Sequence, residues 1–147
     1  MSTRDAMPQR EEDDVMRAAG GRARIGLFSG DAVATVAADA SIRQVADELV
    51  ADEVGLLVVG SIDHVEGVVS ERDIVRAVAF GRPPEATPVR DVASTRLVWC
   101  DITATVDEVA ELMTEQYVRH VLIEDGGRLV GIVSARDLLG AYAAVPD

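Results

Sequence analysis

Two serines in this 147-residue chain, each followed two residues later by an arginine and three residues later by an aspartate, have the spacing that could do chemistry: Ser70, Arg72 and Asp73, then Ser134, Arg136 and Asp137. A hydroxyl at the head of a helix, the backbone N–H groups beside it and a guanidinium offer donors to a phosphate, and a carboxylate accepts both hydroxyls of a ribose. The same residues have a structural use. Ser-x-x-Asp is close to a capping box, in which hydroxyl and carboxylate satisfy the orphan N–H groups of a first helical turn. A second basic group, Arg119-His120, brings a permanent planar cation and a titratable one; its structural alternative is a surface arginine and a half-buried neutral histidine at a strand start.

These residues recur because the chain does. Gly67-Val68-Val69-Ser70-Glu71-Arg72-Asp73-Ile74 returns 64 residues later (131 − 67 = 64) as Gly131-Ile132-Val133-Ser134-Ala135-Arg136-Asp137-Leu138. The register holds without a gap, with Ala40 on Ala104, Val45-Ala46 on Val109-Ala110, Val54 on Val118 and Ala77 on Ala141, so the chain reads as two copies of one unit. Copy one runs from Ile25 to Pro88 and copy two from Val89 to residue 147, after an acidic tail over 1–24 that reads as mobile or ordered by a partner. Each copy is too small to be more than marginally stable alone, so the two are expected to share buried surface.

The elements that must position the motif follow from periodicity. In copy one a short strand over Val33 to Ala37 precedes a helix capped by Ser41, whose Ile42, Val45, Ala46, Leu49 and Val50 keep the 3.6-residue period. The run Leu56-Leu57-Val58-Val59 reads as a strand buried on both faces. A turn over Ser61 to His64, a strand Val65 to Val69 and a helix capped by Ser70 complete the unit. Copy two repeats the order, with strands Leu97 to Cys100, His120 to Ile123 and Leu129 to Val133, and helices starting at Thr105 and Ser134. Pro83, Pro84 and Pro88 separate the copies.

Composition narrows the function. A net charge of −12 with no lysine disfavours nucleic acid as a partner, since no basic stripe offsets it. No apolar run approaches a membrane span and the N-terminus lacks a signal-peptide core; with the single cysteine Cys100, which excludes an intrachain disulfide, this makes a cytoplasmic location the expectation. His64 and His120 lie far apart in sequence and no cluster has metal-ligand spacing. Cys100 reads by default as an inert thiol. No nucleophile, base and orienting group assemble into a catalytic set, so the chain is not expected to be an enzyme.

This order of elements, with its two Gly-x-Val-Ser-x-Arg-Asp segments, resembles the cystathionine β-synthase (CBS) domain, and the tandem resembles a Bateman module over Ile25 to Tyr142. The resemblance implies an α/β (α+β) fold of two pseudo-symmetric β-α-β-β-α repeats packed sheet to sheet in one disc-like module, with two clefts that bind adenosine-containing ligands. By matching positions, the base would lie between Val33-Ala34 and Val54-Gly55-Leu56 in copy one, and between Leu97-Val98 and Val118-Arg119-His120 in copy two; all the apolar members serve equally as plain core. In adenylate-sensing relatives a basic pair placed like Arg119-His120 reaches ligand phosphates. Copy one has Gly55-Leu56 there.

The reading is a regulatory module that needs no cofactor, senses AMP, ADP, ATP, NAD or S-adenosylmethionine, forms a homodimer and passes occupancy to an effector in another chain. Its rivals are a ligand-free interaction module with decayed clefts and an enzyme acting on a nucleotide.

Overall fold

The computed structural model describes residues 21–27 and 33–143; the first twenty residues of the acidic tail lie outside them. Each repeat is a β-α-β-β-α unit. The first consists of β1 (Thr35–Val36), α1 (Ile42–Asp52), β2 (Leu56–Gly60), β3 (Val65–Ser70) and α2 (Glu71–Ala79). The second consists of β4 (Trp99–Asp101), α3 (Val106–Gln116), β5 (His120–Asp125), β6 (Arg128–Ser134) and α4 (Ala135–Ala143). Two three-stranded sheets result, ordered β1-β2-β3 and β4-β5-β6. In the first, β1 runs parallel to β2 and β2 antiparallel to β3.

The 64-residue period reaches individual hydrogen bonds. Helices α1 and α3 start with full capping boxes, Ser41 with Gln44 and Thr105 with Glu108, and end on residues in the left-handed region, Glu53 (φ 54) and Tyr117 (φ 55). Val58 N–H donates to Ala34 O, as Leu122 N–H does to Val98 O. The first strand of each copy is shorter than the alternation suggests: β1 keeps two residues and β4 three. Residues 33–34 and 97–98 approach the sheets without joining a strand.

Each repeat has its own core. In the first, Ile42, Val45 and Leu49 of α1 and Ile74 and Ala77 of α2 close on Leu57, Val59 and Val69; in the second, Val106, Val109 and Met113 of α3 and Leu138 and Ala141 of α4 close on Val121, Ile123 and Val133. Sequence order does not predict two further members. Val89, which opens copy two, is fully buried in the first core, and Ile25, which opens copy one, is fully buried in the second. Their contacts are equivalent: Val89 N–H donates to Ala40 O at 2.7 Å and Ile25 N–H to Ala104 O at 2.8 Å, while Ile42 N–H reaches Thr87 O and Val106 N–H reaches Ala23 O. The segment ahead of each repeat therefore completes the other. The described chain accordingly divides into one compact unit of residues 33–97 with 126–130, and another of 21–27, 98–125 and 131–143.

At Gly67 a neighbouring segment leaves no room for a side chain. The segment through Ala93-Ser94 pairs with β3 through Val68 N–H to Ser94 O and Ser94 N–H to Val68 O. A Cβ at Gly67 would stand 2.8 Å from the Ser94 carbonyl oxygen.

Candidate functional site

Strand direction brings the candidate residues of each repeat to one sheet end. Because β1 and β2 are parallel and β3 returns antiparallel, Ala34 ahead of β1, Leu56 at the start of β2 and Ser70 at the end of β3 lie together, and Leu56 pairs in register with Ser70. Gly55 O accepts the Glu71 N–H at 3.0 Å, tying the β2 entry to the first turn of α2. Val33, Ala34, Val54 and Leu56 are half-buried and Gly55 is exposed. Apolar surface, with none of it fully closed, therefore borders the Ser70 motif. The second repeat reproduces this, with Leu97-Val98, Val118-Arg119-His120 and Ser134: Ala135 N–H donates to Arg119 O at 2.8 Å, and Leu97, Val98, Val118 and His120 are half-buried while Arg119 is exposed.

Both serines cap. Ser70 Oγ accepts the Asp73 N–H at 3.3 Å, and Asp73 Oδ2 accepts both the Ser70 N–H at 2.9 Å and the Ser70 hydroxyl at 3.0 Å. Asp137 Oδ2 likewise accepts the Ser134 N–H at 2.8 Å, and Ser134 Oγ accepts the Asp137 N–H at 3.1 Å. With Glu71 and Ala135 N–H already bound to the carbonyls of Gly55 and Arg119, just ahead of β2 and β5, the helix starts have spent most of their donors. The Arg72 and Arg136 amides remain as the first-turn donors without a partner among the described residues, and their guanidiniums are on exposed residues. Each aspartate spends one oxygen on the cap; Oδ1 of Asp73 and of Asp137 accepts no hydrogen bond among the described residues.

His120 lies against the second motif. Burial pushes its pKa below the ordinary histidine value, Asp137 pulls it up and Arg119 pushes it down. The imidazole is thus held toward its neutral form, and Arg119 is the cation of the pair at neutral pH. Among the charged groups around it, Asp137 acts on the imidazole most strongly.

A depression of about 450 Å³ elsewhere in the second repeat is lined by Cys100, Asp101, Thr103, Glu108, Glu111 and Glu115 among others. Its carboxylates repel anions, and none of the motif residues lines it, so it does not suit a nucleotide. Burial, followed by Asp101, pushes the Cys100 thiol up to about 11, which leaves it protonated and unreactive at neutral pH. Among the described residues no group of histidine, cysteine or carboxylate side chains could hold a metal ion, and no helix is long and apolar enough to cross a membrane.

With this geometry in place, comparison with known proteins is direct. The family model of the CBS domain matches residues 29–80 and 89–144, and the chain belongs to the CBS-domain family as a tandem pair, a regulatory module. The CBS domain-containing protein YhcV of Bacillus subtilis is 35% identical over 107 residues, covering 72% of this chain and 76% of that protein. The crystal structure of the CBS-domain containing protein ATU1752 from Agrobacterium tumefaciens matches with a TM-score of 0.74 and 35% identity, over 83% of this chain and 95% of that one. The CBS domain protein PAE2072 from Pyrobaculum aerophilum, solved in complex with AMP, matches with a TM-score of 0.71 and 34% identity over 83% of this chain and all of that one.

Proposed function

We propose that this chain is a non-enzymatic regulatory module that binds an adenosine-containing metabolite (AMP, ADP, ATP, NAD or S-adenosylmethionine) at the sheet ends carrying Ser70-Arg72-Asp73 and Ser134-Arg136-Asp137. In this reading, the base lies against Val33, Ala34, Val54, Gly55 and Leu56, or against Leu97, Val98 and Val118. The ribose hydroxyls go to the aspartates. Phosphates meet the Arg72 or Arg136 amide and guanidinium and, in the second repeat, Arg119. Supporting this is the one carboxylate oxygen per motif that the helix cap leaves over, Oδ1, beside half-open apolar surface. AMP in a relative 34% identical supports the ligand class.

The module works in the cytoplasm as a homodimer and signals to an effector in another chain. Ligand shifts the population of its conformations by no more than its differential affinity for them. Mass spectrometry of small molecules released from gently purified protein tests the reading. An adenosine-containing species retained by wild type and lost from Asp73→Asn/Asp137→Asn is the expected result, unaltered after incubation. Turnover of the nucleotide would point to an enzyme. Purification free of adenosyl compounds, with no uptake of added ones, would favour the ligand-free interaction module, for which the internally spent cap donors already speak.

A further inference from the structure

The two sites, alike in backbone, are opposite in charge. In the first, Gly55 has no side chain, and the nearest group to where its Cβ would stand is the Glu71 carboxyl carbon at 4.0 Å. In the second, the matching position carries Arg119 and the matching helix residue is Ala135. The hydrogen bonds Glu71 N–H to Gly55 O and Ala135 N–H to Arg119 O make the correspondence one of geometry as well as of sequence. Across residues 53–56 and 70–73 stand three carboxylates (Glu53, Glu71, Asp73) and one guanidinium (Arg72); across 117–120 and 134–137 stand two guanidiniums (Arg119, Arg136) and one carboxylate (Asp137). In a protein of charge −12 the second is a local positive site, where an anion gains, and the first is one where it loses.

We infer that the two repeats take different ligands: the second an adenosine phosphate held by Arg119, the first an adenosyl compound whose substituent is positively charged and faces Glu71. The inference rests on the adenosyl-binding reading above and divides its ligand class between the two sites. Burial keeps His120 toward the neutral form, so the charge contrast does not depend on it.

Calorimetry of the full chain, with AMP and S-adenosylmethionine as probes, tests this. Wild type is expected to bind one equivalent of each. Arg119→Gln weakens AMP alone and Glu71→Gln weakens S-adenosylmethionine alone, by roughly ten- to a hundredfold each, as for loss of a charge-assisted contact. Gly55→Arg/Glu71→Ala is expected to gain a second equivalent of AMP; should it fail to fold, the two single variants of exposed side chains decide the matter. Two equal AMP equivalents in wild type, or no effect of either single variant, would overturn the division of ligands while leaving the adenosyl-binding reading intact. Binding of neither probe to wild type would overturn both.

Discussion

At Asp73 and Asp137 the two carboxylate oxygens are used differently. Oδ2 closes the cap; Oδ1 accepts no hydrogen bond among the described residues and is the oxygen we propose for a ribose. Substitution by alanine therefore removes both, and AMP affinity is expected to fall more in Asp137→Ala than in Asp73→Ala, by about 1.5–3 kcal/mol, because Arg119 stands beside Asp137 only; calorimetry reads this directly, and equal negligible effects would contradict the ribose role. His120 gives a prediction independent of ligand. Its folded pKa lies below the ordinary 6.5, chiefly through burial, so in that range the unfolded chain binds a proton that the folded chain resists. Stability that is fully present above pH 6.5 is lost as pH falls through it toward the folded pKa. The urea midpoint is expected to drop more between about pH 7.5 and pH 5.5 in wild type than in His120→Gln, and equal drops would contradict the assignment. Sequence spacing was enough to find Ser70, Asp73 and their repeats, because a capping box is a local pattern. It could not show Glu71 standing near Gly55, since that approach depends on how a strand end meets a helix start.

Among elements, glycine context separates two residues that look alike in sequence. Gly67→Ala is expected to destabilise by about 1–3 kcal/mol, since its Cβ meets the Ser94 carbonyl at 2.8 Å, whereas Gly55→Ala, whose Cβ would find nothing nearer than 4.0 Å, is expected to be near neutral; thermal unfolding distinguishes them. The helices were legible from the 3.6-residue period and their caps, and the order β-α-β-β-α from the repeat. The cores were legible only in part. Periodicity identifies which residues are covered and not what covers them, so Ile25 and Val89 read as the openings of their own copies while each fills the core of the other. Ile25→Ala is accordingly expected to cost about 2–5 kcal/mol, as Val89 truncation would, and a near-neutral Ile25→Ala would show that residues 21–27 are dispensable to the second core. The apolar stripes Ile42/Val45/Leu49 and Val106/Val109/Met113 are buried within their own repeats.

At the scale of the whole molecule, several large apolar side chains stay exposed, those of α2 among them. Val75, Val78 and Phe80 on and just beyond α2 are 68%, 52% and 79% exposed, and Leu139 on α4 is 70% exposed. Val75 and Val78 are three apart and share a helix face, and it is these residues that the homodimer is expected to bury. Light scattering at tens of micromolar should give a dimer mass in wild type and a monomer in Val75→Glu/Val78→Glu; a wild-type monomer would remove the dimer from the account. The duplication supplies two backbone-equivalent motif surroundings whose side chains diverge at Gly55/Arg119 and Glu71/Ala135. The most direct test of the central claim, that the Ser-x-Arg-Asp motifs form adenosyl-binding sites, is a calorimetric titration of AMP into wild type and into Asp73→Asn/Asp137→Asn, with the fold of both checked by circular dichroism. Saturable heat in wild type and none in the folded double variant is the result expected here; the same heat in both, or none in wild type, would contradict it.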